Sequence, residues 1–210
     1  MKIYDISMDI FYEMPVYKGK EFKRPIIETD MNYETGSVYE SRLNMNLHTG
    51  THIDAPLHIL KDGKNLDGLK LERVITRCKV LDFTYVDEKI TREHLSKKEI
   101  SEGDFILLKT KNSYDSNQEN VEKNFIYLDE TGAEYLKDKK VSGVGIDALG
   151  IERDQPGHPT HRILFNSDII IMECLMLKDV DEGEYMLFAA PIKVKGVEAA
   201  PVRAVLIKDI

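Results

Sequence analysis

The chain contains no tryptophan, two cysteines and no apolar run approaching the roughly 18 residues of a membrane span. Each scarcity excludes something. Cys78 and Cys174 lie far apart, and neither sits in a CxxC pair. That rules out a disulfide framework and a thiolate zinc site, and it suits a reducing compartment. Basic residues are outnumbered, 29 Lys and Arg against 37 Asp and Glu, for a net charge of −8. Such a balance leaves no electrostatic footprint for nucleic acid or an anionic membrane surface. The opening MKIYDISMDIFYEMPVYKG places acids where a secretion signal needs an apolar stretch, so a cytoplasmic location is expected. No internal repeat, low-complexity tract or linker divides the chain. What remains is ordinary for a globular protein: 210 residues, 42% apolar and 31% charged. One domain over residues 1–210, with a sizeable core, is expected.

Histidine is also sparse, and its placement is informative. Of six histidines, five fall in two segments, His48–His58 and His158–His161. His94, among Glu and Lys on an expected helix, reads as a solvated surface residue. The simplest use for two histidine-rich segments a hundred residues apart is one site assembled in space.

The first segment, Asn46-Leu47-His48-Thr49-Gly50-Thr51-His52-Ile53-Asp54-Ala55-Pro56-Leu57-His58, organises the rest. His48, His52, Asp54 and His58 all occupy even positions, so an extended chain points them to one face. A straight strand would still hold His48 and His58 about 33 Å apart. The chain must bend, and Gly50 and Pro56 permit it. A helix would unite His48 with His52 but swing Asp54 and His58 away, and Pro56 would break it. Imidazole with carboxylate is a ligand set for zinc, manganese or iron.

Strands are expected over residues 3–10, 37–47, 78–83, 104–110, 141–147, 168–173, 185–189, 192–194 and 202–207. A helix is expected over 129–137 with Thr131 as its N-cap, a short one over 162–166, and a capped helical turn at 91–95. Residues 59–70 read as loop with a helical turn, and 111–123 as a polar surface loop. Residues 20–36 carry no clear pattern. Glu173 directly follows Ile-Ile-Ile-Met. A carboxylate there either faces solvent at a strand mouth or binds a cation. Arg203 reads as a structural ion-pair partner. Asp147 is either a cap or a carboxylate that orients a ligand histidine.

The run HTGTHIDAPLH closely resembles the signature of the cyclase family that includes bacterial kynurenine formamidases and isatin hydrolases. The opening DIS…MPVYKG, the run VGIDALGIE, the spacing from His161 to Glu173 and the tail EGEYMLFAAPIKVKGVEAAPVRAVLI resemble further family blocks. Together they span nearly the whole chain. The resemblance implies an α/β fold: a compact domain with a mixed, barrel-like β-sheet and flanking helices, assembled as a homodimer or homotetramer. It implies one or two divalent ions, zinc or manganese, and hydrolysis of amide bonds in small aryl or cyclic substrates. By the motif, His48, His52 and Asp54 would hold a first ion. Asp54 would bridge to a second, held also by His161 and Glu173. His58 would be the general acid/base. Tyr17 falls where formamidases place an aromatic substrate contact, usually tryptophan. His158 has no formamidase counterpart and would be a ligand, a substrate contact or a support for another group.

An amide carbonyl is a poor electrophile and neutral water a poor nucleophile, so a cation, a bridging carboxylate and a proton-shuttling imidazole suit amide hydrolysis. Two other functions fit the same residues. One is a dehydratase or cyclase acting on a hydroxy-acid or polyketide-like substrate. The other is a non-catalytic metal-binding protein, for which His58 is surplus.

Overall fold

Alternation with a period of two sorts the side chains of each strand between two cores. The computed structural model describes residues 1–208. In chain order its regular elements are β1 (Lys2–Asp5), β2 (Ile26–Met31), β3 (Glu40–Asn44), β4 (His52–Asp54), β5 (Ile75–Asp82), β6 (Lys89–Ile90), α1 (Arg92–Leu95), β7 (Phe105–Lys109), β8 (Tyr127–Leu128), α2 (Glu130–Lys139), β9 (Gly143–Ile146), α3 (Pro159–Asn166), β10 (Ile170–Glu173), β11 (Gly183–Phe188), β12 (Ala199–Pro201) and β13 (Val205–Lys208). Nine strands form one sheet in the order β1-β13-β11-β5-β7-β9-β10-β4-β12. The central strands β5, β7, β9 and β10 run parallel. Antiparallel strands flank them on both sides, so the sheet is mixed.

The sheet curls like part of a barrel. Strands β12 and β13 lie towards opposite ends of the strand order, yet only residues 202–204 separate them. Just past β1, the Ile6 amide donates to the Ala204 carbonyl, and Ser7 bridges to Leu175 beyond β10. Strand β7 shows the sorting clearly. Phe105 and Leu107 enter the core on the concave side with Ile53, Met172 and Leu206. Ile106 and Leu108 enter the other core with Val144, Ile171 and residues of α2 and α3 such as Leu136 and Leu164. On β9 the concave-side positions are glycines. A Cβ at Gly143 would lie 2.3 Å from the Phe105 ring, and one at Gly145 would lie 2.7 Å from Leu107.

The mixed α/β architecture agrees with the expected fold class, and several elements differ in detail. The first strand stops at Asp5 rather than residue 10, where the chain leaves the sheet. Residues 192–194 form no strand; the pairing there is a single bridge, Pro191 to Val202. Of the expected strand at 202–207 only residues 205–207 lie in a strand, β13; residues 202–204 carry the chain between sheet edges from β12, which lies before the expected range. Helix α2 is capped by Asp129, whose side chain accepts from the Gly132 amide, and not by Thr131. Strand β2 escaped notice because it and β3 form a separate hairpin exposed along its whole length, so burial imposes no alternation. His94 is half-buried rather than solvated, and its Nδ1 accepts from the Thr91 amide at 3.1 Å in a capping box. No helix among the described residues is long and apolar enough to cross a membrane.

The Gly143 contact yields a test. Gly143→Ala forces the Phe105 ring to shift and should cost about 1–3 kcal/mol, the usual range for overpacking. Urea unfolding measures it, and unchanged stability would mean the ring yields freely.

Candidate metal centre

The register between β4 and β10 builds the site. His52 pairs with Glu173 and Asp54 with Ile171 across that antiparallel ladder. Ile53 and Met172 turn into the concave core. His52, Asp54 and Glu173 therefore share the opposite face, beneath the helices. Helix α3 packs on this face through Leu164 and Phe165 and supplies His161. His48 returns to the cluster through a turn at Gly50, whose φ is +71°. That conformation favours glycine, and a Cβ there would also displace the end of the Ile10 side chain, 2.5 Å away. Thr51 pins the turn: its hydroxyl donates to the Cys174 carbonyl at 2.5 Å and accepts from the Met8 amide at 2.9 Å. Past Asp54, a 3-10 turn over Pro56–His58 swings His58 back over His48, ring centroids 4.1 Å apart.

The cluster is crowded with acceptors. His48 Nδ1 lies 2.8 Å from Asp54 Oδ1, and His52 Nε2 lies 3.3 Å from the same oxygen. His52 Nε2 is 3.5 Å from Glu173 Oε2. His161 Nε2 stands 3.7 Å from Asp54 Oδ2 and 3.4 Å from Glu173 Oε1. Despite these approaches both Asp54 oxygens and His161 Nε2 are buried without a hydrogen bond. Buried polar atoms are rarely left so.

The outer ring nitrogens explain why. His52 Nδ1 donates to the Gly50 carbonyl at 2.8 Å, and His161 Nδ1 donates to Glu152 Oε1 at 2.7 Å. Each bond sets a tautomer that turns the Nε2 lone pair inward. Inward lone pairs on two imidazoles, facing two unbonded carboxylate oxygens, make the donor set of a divalent cation. Three groups of ligand-type side chains have their donor atoms within 4.8 Å of one another: His48, Asp54 and His58; His52, Asp54 and Glu173; Glu152, His158 and His161. Asp54 belongs to two of them, and both its oxygens face the cluster.

Electrostatics follow the crowding. Burial opposes charge on His52 and His161, but Asp54, Glu173 and Glu152 outweigh it and hold both imidazoles well above their ordinary value in the metal-free chain. Burial also opposes the Asp54 charge, and the surrounding imidazoles hold that carboxyl well below its usual range. At His58 burial prevails and pushes the imidazole down to about 4.

A cavity of about 480 Å³ opens onto this cluster and is lined by His48, His58, His161 and Glu173. That volume lies within the roughly 300–1,000 Å³ of small-molecule sites. The structure thus brings together all five expected ligands and His58. Tyr17 also lines the cavity, half-buried against Phe125 with centroids 6.1 Å apart. His158 stands at the rim, 57% exposed, its Nδ1 2.9 Å from Glu152 Oε1. Glu173 is buried and takes the Ile151 amide at 2.6 Å, which excludes the solvent-facing alternative. Asp147 acts as a cap: it accepts from the Thr110 and Ser113 amides and touches no histidine. Arg203 pairs with Asp5 at 2.7 Å. Both cysteines are buried.

Glu152 went unrecognised in the sequence. It ends VGIDALGIE and is buried, with one oxygen shared by His158 and His161 and the other accepting from the Thr160 amide at 3.0 Å. Its one available signal was an acid closing the short apolar run Ala148–Ile151.

This fold and this set of side chains have counterparts in proteins described as metal-dependent hydrolases. The family model described as "Putative cyclase" matches residues 4–153. A kynurenine formamidase of Salinibacter ruber is 31% identical over 98% of this chain and 97% of its own. A structure described as a predicted metal-dependent hydrolase from Bacillus stearothermophilus is 48% identical, with a TM-score of 0.88 over 98% of this chain and 97% of that one. Isatin hydrolase A from Labrenzia aggregata, at 21% identity, shares the fold with a TM-score of 0.86 over 99% of this chain and 94% of that one. The chain belongs to the cyclase family.

Two predictions follow from the geometry. Glu152→Ala releases the His161 ring and should weaken divalent-metal binding about 10- to 100-fold, read by equilibrium dialysis. Unaltered affinity would mean that packing alone fixes the ring. The second concerns pH. Imidazoles held above 6.5 favour the folded metal-depleted chain at low pH, and that contribution is lost as pH rises through the raised values. Metal binding needs the neutral rings, so saturating zinc should reverse the slope. Urea midpoints across that range, with chelator and with zinc, check both signs.

Proposed function

We propose that this protein hydrolyses a small N-formyl aryl amide, or a related cyclic amide, with the cluster around Asp54 holding one or two zinc or manganese ions. The observation that carries this is the pair of buried, unbonded Asp54 oxygens facing imidazole lone pairs, beside His48, His161 and Glu173, which line an open cavity. His48, His52 and Asp54 would hold one ion, and Asp54, His161 and Glu173 a second. A divalent ion supplies acidity to water, lowering its pKa from 15.7 to about 7, and polarises a carbonyl.

The chain's own groups do the rest. His58 belongs to the same cluster as Asp54 but is not anchored by a carboxylate as His161 is, so its ring is available for proton transfer. It is neutral near pH 7 and enters as a base, taking a proton from the attacking water. As the C–N bond breaks, the same ring returns that proton to the leaving nitrogen. Formate and an aryl amine are the products of the formamide case. Burial opposes the Asp54 charge, and the surrounding imidazoles outweigh it and hold that carboxyl below its usual range. The Tyr17 ring, on the cavity wall, would stack against an aryl substrate. Glu152 keeps His161 in its inward tautomer, and His158, bonded to the same oxygen, braces Glu152 from the rim. The Salinibacter relative supports a formamide substrate. A dehydratase or cyclase would use the same residues but would release neither formate nor amine.

Metal-depleted protein, assayed with N-formyl-L-kynurenine and isatin before and after zinc or manganese is restored, tests the proposal. His58→Ala should retain metal and lose about 10²- to 10⁴-fold in kcat, whereas Asp54→Ala should lose metal and turnover together. Near-normal kcat in His58→Ala would remove that residue from its assigned role.

A further inference from the structure

Part of the cavity wall is basic in a chain that is acidic overall. Lys18, Lys20 and Lys23 all line it, within six positions of sequence. The other charged groups of this stretch are engaged. Lys18 Nζ pairs with Asp154 at 2.7 Å. Glu21 accepts from the Tyr12 hydroxyl at 2.5 Å and from Arg24 Nε at 3.0 Å. Arg24 also donates to the Met14 carbonyl at 2.9 Å. Lys20 Nζ lies over two rings, 5.9 Å from the centroid of Tyr17 and 5.8 Å from that of Phe22.

Lys23 differs. It is half-buried, and among the described residues its ammonium makes no hydrogen bond and no ion pair. The backbone is nevertheless fixed, since the Lys23 carbonyl accepts from the Thr49 hydroxyl at 2.7 Å, one residue from His48. The acids whose fields it feels are Glu173 and Asp54. On the function proposed above, both are committed to a divalent cation. A partly desolvated ammonium is then left beside another positive centre with no anion of the protein to answer it. Such a charge is costly unless something pairs with it. A cleft with one sign of charge on its wall also concentrates ligands of the opposite sign.

We infer that Lys23 makes this pocket selective for anionic substrates: its ammonium receives a carboxylate carried by the aryl or cyclic amide while the amide carbonyl lies over the Asp54 cluster. The inference rests on the hydrolase function above and narrows its substrate class.

The test uses matched pairs on zinc-loaded protein. N-formylanthranilate and formanilide differ by one carboxylate, and anthranilate and anthranilamide are the corresponding binding probes. Wild type should prefer the carboxylate member by about 10- to 100-fold in kcat/KM, chiefly through KM, the range for one charge-assisted hydrogen bond. Titration calorimetry should show the same preference for anthranilate over anthranilamide. Lys23→Met should erase both preferences at unchanged zinc content, and Lys23→Arg should restore them. Hydrolysis of both formamides without preference, or a preference that survives in Lys23→Met, overturns the inference and leaves the hydrolase function standing. If neither formamide is hydrolysed, the proposed function fails and calorimetry alone decides. A Lys23-dependent preference for anthranilate then upholds an anion site, and equal or absent binding overturns it. Loss of zinc from both Lys23→Met and Lys23→Gln would make Lys23 part of the metal site and also overturn it.

Discussion

One ladder governs this molecule. Strands β4 and β10 pair so that His52 faces Glu173 and Asp54 faces Ile171, while Ile53 and Met172 fill the concave core between the same residues. A slip of β4 by one residue would send His52 and Asp54 into a hydrocarbon interior and bring Ile53 to the pocket. The apolar residues thus enforce the register, and the polar ones exploit it. The sheet's own period of two then does what no helix could do with this segment: it places alternate residues in two chemically opposite environments.

The face so created is not stable by polar pairing alone. Two carboxylates and three imidazoles share a small buried volume, and the bonds that orient the rings, to the Gly50 carbonyl and to Glu152, spend the protons that the carboxylates would otherwise accept. Without an ion the cluster relies on protonated imidazoles, and with one it relies on neutral imidazoles. Rigid surroundings make this choice available. Thr51 ties together the N-terminal segment, the histidine turn and the end of β10. Cys174, in the left-handed region at φ +62°, turns the chain sharply away after Glu173, a conformation that costs on the order of 1–2 kcal/mol for a side-chain-bearing residue.

Much of this was legible in the residues. The even spacing of His52 and Asp54, the two permitted bends, the apolar run before Glu173 and the shortage of histidine elsewhere all pointed to one assembled cluster, and the structure assembles it. Resemblance supplied what spacing could not, namely His161 as a partner and the barrel-like sheet. Glu152 was invisible because its importance depends on which ring nitrogen it touches, and no local pattern encodes that. Lys23 was hidden for a similar reason: an unpaired charge is defined by the absence of neighbours in space. Strand β2 lacked the alternation that reveals half-buried strands. Thr131 lost the cap of α2 to Asp129 because either residue suits the role, and backbone geometry decides between them.

The return of the chain at residues 199–208 has a temporal meaning. Strand β4 is sandwiched between β10 and β12, and among the described residues β1 pairs with β13 alone. Residues 2–5 therefore wait for residues 205–208, and the histidine strand remains an open edge until residues 199–201 have emerged. Long-range closure of this kind is slow relative to local helix formation. During synthesis the chain carries its acid-and-imidazole strand half-paired, able to meet metal or a foreign strand before its own sheet is complete. Assembly of the pocket is thereby tied to the arrival of residues 199–208, which act as the clasp that closes the sheet around the histidine strand.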